Sequence, residues 1–367
     1  MISIALRNLL AERTRFAISV GGVAFSVMLI LIILSLYQGW QIKATQYIRG
    51  IKADLWVTQP GSADITNSAS FLPNTFIPEL EKIEGVEKVH RFVGKPINFK
   101  IKGKEANAYI VGFDTSDPIS GPQKIVQGKA LPSDGEIIVD QVLAKNSKLE
   151  VGETVEIFGS SFQVVGIAEG ANMFLFQFSF ITLADAQQLF QTSEFSNFFL
   201  IETAEGQLEE VKKTINEISG VEALSAEEFV DRNRRSIDEV FLPIIAVLVF
   251  ISVLVGTTVI GLTIYTATIE KAREFGVIKA IGGSNLQIYR IIFEQSLVSG
   301  VVGYILGVAL TYLLLWLIPQ QVPVFVTVTR HQDLVGVFIL ANTMSALASY
   351  IPVRRILSID PAEVFRS

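Results

Sequence analysis

The chain has 367 residues, with 30 Lys and Arg against 36 Asp and Glu, no Cys, 50% hydrophobic residues and 18% charged ones. Its mean hydropathy of +0.46 is too apolar for a soluble enzyme of this length. These figures exclude intrinsic disorder, a fibrous repeat and a disulfide scaffold, and a formal net charge of −6 gives no basic surface for nucleic acid.

A helix crossing a hydrocarbon core about 30 Å thick needs roughly 20 apolar residues. Residues 1–15 come before the first such run and set Ile2, Leu6, Leu9 and Leu10 at helical spacing, with Arg7, Arg13 and Arg15 interleaved. That pattern predicts a cytoplasmic amphipathic helix on the inner membrane surface. Residues 16–40 then run without a charge, longer than a signal-peptide core and with no small-residue cleavage site after them, so they are read as a retained span. The second span, 240–269, is also uncharged and places Pro243 in its first turn, where a helix tolerates it. The third, 291–318, is broken only by Glu294; a short outer loop, 319–333, leads to the fourth, 334–353.

Orientation follows from Lys and Arg beside the spans. Arg7, Arg13 and Arg15 precede the first span, Lys271, Arg273, Lys279 and Arg290 lie between the second and third, and Arg354, Arg355 and Arg366 follow the fourth. Only Glu12, Glu270, Glu274, Asp360 and Glu363 accompany them, so both termini and the 270–290 loop are predicted to be cytoplasmic. The aromatic pairs Tyr37 with Trp40 and Tyr312 with Trp316 then fall at the outer ends of spans one and three.

Residues 41–238 alternate short β-rich runs with amphipathic ones, which predicts a large mixed α+β extracytoplasmic domain between the first two spans. The clearest strands are Asp54–Val57, Ala108–Val111, Glu136–Val139, Thr154–Ile157 and Phe162–Val165; the clearest helices are Ile77–Ile83 and Leu208–Ile218. The phrases Ile83-Glu84-Gly85-Val86-Glu87 and Ile218-Ser219-Gly220-Val221-Glu222 resemble one another and indicate a duplicated helix-turn-strand unit. With His90 and His331 as the only His and no Cys, neither a zinc site nor a His-dependent triad is expected, and His90 is read as a surface strand residue. Phe174, Phe176, Phe178 and Phe180 alternate along the most apolar extramembrane stretch. They form either the buried face of a strand or, at Phe174, Phe176 and Phe178, a surface for a partner or a lipid-like cargo.

No G-x-x-x-x-G-K-[ST] phosphate loop occurs, so this chain is expected to bind no nucleotide itself. The loop from Glu270 to Ser284 reads as a short amphipathic helix, with Phe275, Ile278 and Ile281 on one face, closed by Gly282-Gly283. Such a helix is either a connector on the membrane or an insert for a groove on a cytoplasmic partner. The sequence Arg273-Glu274-Phe275-Gly276 followed by Lys279-Ala280-Ile281-Gly282-Gly283 resembles the signature loop of MacB/FtsX-type ABC transporter permeases. Arg7-Asn8-Leu9 before the first span, and Pro352-x-Arg354-Arg355 leading to Asp360-Pro361-Ala362-Glu363-Val364 in the cytoplasmic segment 354–367, fall where that family places similar pieces.

The resemblance covers essentially the whole chain and implies a non-catalytic permease in the bacterial cytoplasmic (inner) membrane. It implies a homodimer with a separate ATPase subunit that carries ATP and Mg, since no ATPase domain is fused here. The coupling helix docking that ATPase would comprise Glu270, Lys271, Arg273, Glu274, Phe275, Gly276, Lys279, Ala280, Gly282 and Gly283. The motion of the extracytoplasmic domain would then drive export or extraction of a hydrophobic, peptide or lipid-like cargo, through a periplasmic adaptor (membrane fusion protein) and outer-membrane duct where these exist. An FtsX-like signalling role, activating a cell-wall hydrolase, is the alternative.

Two features of the third span carry open readings. Glu294 is an intramembrane acid, a functional candidate by default, or the i+4 partner of Arg290. Gly300, Gly303 and Gly307 allow close helix approach, either within the subunit or in a dimer.

Overall fold

The computed structural model describes residues 12–62, 64–65, 70–170, 172–173, 176–271, 273–274, 277, 284–321 and 326–357. After α1 (Arg13–Gly50) come β1 (Leu55–Thr58), β2 (Leu72–Pro73), α2 (Ile77–Leu80), β3 (Val86–Ile101), β4 (Lys104–Phe113), β5 (Ile125–Gly128) and β6 (Glu136–Asp140). Next are α3 (Gln141–Ser147), β7 (Thr154–Ile157), β8 (Ser160–Ala168), β9 (Asn172–Met173), β10 (Phe176–Thr182) and α4 (Leu183–Phe190). Then β11 (Phe195–Ser196), β12 (Phe198–Thr203), α5 (Leu208–Asn216), β13 (Glu222–Ser225), α6 (Ala226–Glu270), α7 (Asn285–Gln321) and α8 (His331–Leu357) complete the described chain. These residues divide into two units, Trp40–Val240 and the combination of Met1–Gly39 with Phe241–Ser367.

The first lobe of the Trp40–Val240 unit has strands in the order β13-β1-β12-β3, every neighbouring pair antiparallel. With α2 between β1 and β3 and α5 between β12 and β13, this is a split βαβ pair. Leu80 of α2 and Val211 and Ile215 of α5 cover Leu55, Val57, Phe199 and Ile201 of the sheet. The two similar phrases of the sequence fall at corresponding turns, α2 into β3 and α5 into β13. In each the glycine has the left-handed backbone that stops a helix, φ +90° at Gly85 and +93° at Gly220.

The second lobe is inserted between β3 and β12. β3 serves both lobes, pairing with β12 over 86–92 and with β4 over 93–101. From β3 the sheet continues through β4, β10, β6, β8 and β5, with β4/β10 and β6/β8 parallel. Asp140 and Thr182 cap α3 and α4, accepting from the Val142 and Asp185 amides at 2.7 and 3.1 Å. The central strand β10 is covered on both faces, so Ser179 is as buried as Phe178 and Phe180.

An aromatic core fills the other side of these sheets. Trp56 stacks on Phe229 with centroids 4.2 Å apart and meets Phe198 edge-on at 5.7 Å. Tyr47 stacks on Phe178 at 4.2 Å, and its hydroxyl donates to the Ser120 carbonyl. Ala44, Tyr47 and Ile48 reach this core from the end of α1, and Phe229 and Val230 from the start of α6. Phe178 is therefore core and corrects the reading of that residue as a surface for cargo. Phe176 is half-buried against the same core, and Phe174 lies outside the described residues.

The second unit is built from long apolar helices. α1, α6, α7 and α8 are each long and apolar enough to cross a membrane, and each extends beyond the apolar run that marks it in the sequence. α6 begins at Ala226, so Pro243 lies inside the helix rather than in its first turn. There it removes a backbone donor and leaves the Glu239 carbonyl without its helical partner. The early start has a local cause in a capping box: the Ser225 amide donates to Glu228 Oε2 at 2.8 Å and the Glu228 amide to Ser225 Oγ at 3.3 Å. Ser284 and Gln287 make the same reciprocal pair at the start of α7.

Candidate functional site

The predicted docking region begins where α6 ends. Glu270 pairs with Arg15, Lys271 lies 2.8 Å from Glu12, and Glu12 lies 3.0 Å from Arg15. Four alternating charges thus fasten the ends of α1 and α6 to each other. Glu12, Arg15 and Lys271 border a small cavity of about 40 Å³ that Ser19, Thr268 and Ser299 also line. Arg273 and Glu274, the next charged residues, are helical and exposed. Phe275, Gly276, Lys279, Ala280, Gly282 and Gly283 lie outside the described residues, as do the pieces at 7–9 and 360–364.

Glu294 accepts from Arg290 Nε at 2.8 Å, one turn away on α7. The intramembrane acid is accounted for by that local pair. The glycines of α7 face neighbours in the same subunit. A Cβ on Gly303 would stand 2.5 Å from Val23 Cβ, and one on Gly307 would stand 2.7 Å from Val27 Cβ, so α1 fits closely against both. Gly300 approaches Ser345 of α8 equally closely, with a Cβ 2.6 Å from its Oγ. All three positions are filled from within the chain, which corrects their reading as a dimer surface.

A further cluster was missed from the sequence. His90 is not a surface residue; its side chain is 9% exposed, with Nε2 2.7 Å from Glu202 Oε1 and Nδ1 3.7 Å from Asp117 Oδ2. Glu202 projects from β12, and Asp117 from the loop after β4. No local spacing joins these three positions, so only the register of β3 against β12, which sets His90 opposite Leu200, could have revealed them. Nearby, Asp114 accepts from the Ser116 hydroxyl and amide, which together hold its carboxyl below the usual carboxylate range. A cavity of about 660 Å³ opens beside His90, Asp114 and Asp117.

Among the described residues none of these clusters forms a nucleophile-base pair. Residues 16–218 match the family model described as the MacB-like periplasmic core domain, and residues 246–361 match that of the FtsX-like permease C-terminal region. An ABC transporter permease of Mycobacterium bovis is 23% identical over 367 residues, covering all of this chain and 99% of its own length. YknZ of Bacillus subtilis, also named an ABC transporter permease, is 22% identical across the whole chain and 98% of its own. A Staphylococcus haemolyticus protein named as the putative hemin transport system permease protein HrtB is 21% identical over 91% of each chain. Among solved structures, the periplasmic region of MacB from Actinobacillus actinomycetemcomitans aligns with TM-score 0.37 at 14% identity, over 49% of this chain and 92% of that one. The extracellular domain of YknZ aligns with TM-score 0.36 at 12% identity, over 47% and 98%. With both family models in place along one chain, on either side of the boundary between the α/β domain and the last three long helices, this protein belongs to the MacB/FtsX-type ABC transporter permeases.

Proposed function

We propose that this permease couples ATP binding and hydrolysis by a separate cytoplasmic ATPase to movement of its α/β domain, and that this movement drives export or extraction of a hydrophobic, peptide or lipid-like cargo. The chain would work as a homodimer in a bacterial inner membrane, with its termini and the loop after α6 cytoplasmic and the α/β domain on the far side. The observation that carries this reading is that the helices entering and leaving the α/β domain contribute to its core through Tyr47, Ile48, Phe229 and Val230. A displacement of either helix would be felt by the packed interior of the domain, since close-packed cores transmit strain. A relative named for hemin transport supports an apolar class of cargo.

The docking role divides along the loop. Glu270 and Lys271 already hold Arg15 and Glu12, which suits an anchoring role, while exposed Arg273 and Glu274 would meet the ATPase together with Phe275. Apolar insertion by Phe275 between charged neighbours fits a helix seated in a groove.

The test is affinity purification of the protein from its native membrane under mild crosslinking, followed by mass spectrometry. Recovery of a soluble ATPase with an adaptor is the expected result. A cell-wall hydrolase in place of the adaptor would turn the reading to transmembrane signalling, and absence of any ATPase would remove the coupling loop from the mechanism. In the reconstituted complex, Glu274→Ala with Phe275→Ala should leave ATP hydrolysis running but disconnected from cargo movement.

A further inference from the structure

The three side chains His90, Asp117 and Glu202 are brought together from three elements, and their ligand atoms all lie within 4.8 Å of one another. A neutral imidazole has one N–H and one lone pair. In the neutral tautomer that turns its N–H from Nε2 to Glu202 Oε1, 2.7 Å away, the Nδ1 lone pair faces Asp117 Oδ2 at 3.7 Å. Two acceptors then confront each other across a gap too wide for a hydrogen bond. A transition-metal ion fills such a gap, since it sits about 2.0–2.2 Å from both imidazole nitrogen and carboxylate oxygen.

We propose that His90 Nδ1 and Asp117 bind a divalent transition-metal ion, with Glu202 holding the ring through Nε2–H and water completing the coordination. The donor set is imidazole and carboxylate without sulfur, which suits zinc and its neighbours in the first transition row. A carboxylate on the far nitrogen is the usual support for a metal-binding histidine, because it fixes the tautomer and raises the basicity of the ligating nitrogen. The cavity beside His90 and Asp117 supplies an entry path. One competitor is present: Lys88 Nζ lies 3.0 Å from the same Asp117 oxygen. Lys88 is 58% exposed, so it can leave for water at little cost when an ion arrives. The position matters for the domain. Glu202 belongs to the first lobe, Asp117 to the second and His90 to the strand they share, so a bound ion would brace the two lobes against one another.

The experiment uses tag-free full-length protein in lipid nanodiscs, stripped of metal and titrated with Zn²⁺ by calorimetry, with bound zinc counted by mass spectrometry and Tm read in parallel. Wild type should take up about one zinc per chain and gain Tm on doing so. His90→Gln and Asp117→Asn should lose saturable binding. Glu202→Gln should weaken it by about 10- to 100-fold, as expected for an orienting partner. Lys88→Met should tighten binding, an effect that general damage to the fold would not produce, and His331→Ala should leave it unchanged. Metal-free Tm within a few degrees of wild type certifies each variant as folded. Folded wild type without saturable zinc uptake, binding that survives His90→Gln, or no tightening in Lys88→Met would each overturn the proposal.

Discussion

The α/β domain and the membrane helices are packed with different side chains, and the difference reflects the solvent each folds in. In the domain, Trp56, Phe92, Phe198 and Phe229 meet around one point, and large rings removed from water supply the stabilisation. Between α1 and α7 the close contacts are made by Gly303 and Gly307 against Val23 and Val27. Lipid tails are as apolar as the side chains themselves, so association of spans gains from close approach and dispersion rather than from burying area. Hydroxyls of the long helices are satisfied both between helices, as where Ser296 Oγ donates to the Ser345 carbonyl, and locally. Ser252, Thr263, Thr311 and Ser345 return their hydroxyls to carbonyls of their own helices. In the domain, Asn197 and Asn233 bridge separate segments through their side-chain amides.

This contrast can be broken at either end. Trp56→Ala should cost the domain about 3–5 kcal/mol, read as a loss of amide-exchange protection over residues 55–113, with the spans left protected. A loss confined to below about 1 kcal/mol would mean that the rings are not a true core. Gly303→Leu should cost the helical unit about 1–3 kcal/mol by overpacking against Val23, seen as a lower Tm in detergent. Gly21→Ala, where an added Cβ meets nothing within 4 Å, should be neutral or better, so equal damage at both positions would refute the close-packing account. Asn233→Ala should cost about 1–2 kcal/mol in chemical unfolding, since Asn233 Oδ1 accepts from the Ile65 amide and its Nδ2 donates to the Phe229 carbonyl.

The smallest effect is a pH dependence at Asp114. Its folded-state pKa is lowered, chiefly by the Ser116 hydroxyl, so the stabilisation is complete above the unfolded carboxylate value and is lost as pH falls through the lower folded one. The Tm difference between wild type and Ser116→Ala should therefore be constant above about pH 5 and shrink below about pH 3. A difference that instead persists into strong acid would assign the role of Ser116 to packing.

Much of this architecture is legible in the sequence where a single local signal is strong. The four apolar runs need only length, and β6 and β7 need only a β-rich run closed by turns. β3 was missed because Pro96 stands in its middle and charged residues run along it. Proline excludes a run from the interior of a sheet, but at Pro96 β3 pairs with β4 alone, so the other edge is open and no ladder bond is lost there. The early start of α6 was present as Ser225-Ala226-Glu227-Glu228, a capping box hidden by the charges that follow it. The His90 cluster was not legible by any spacing rule, since its members come from a shared strand, a loop of one lobe and a strand of the other.

The insertion of the second lobe between β3 and β12 also sets an order of assembly. β1 leaves the ribosome early, yet Leu55 pairs with Ile201 on one side and Ser225 on the other, both of which come much later in the chain. Until β12 and β13 are made, β1 has two open edges, and Trp56 lacks the ring of Phe229 it stacks on. Such non-local pairing is slow and leaves unpaired edges exposed meanwhile. The nascent first lobe is therefore the stage at which a chaperone would have most to protect, and at which a truncated chain would be most prone to aggregate.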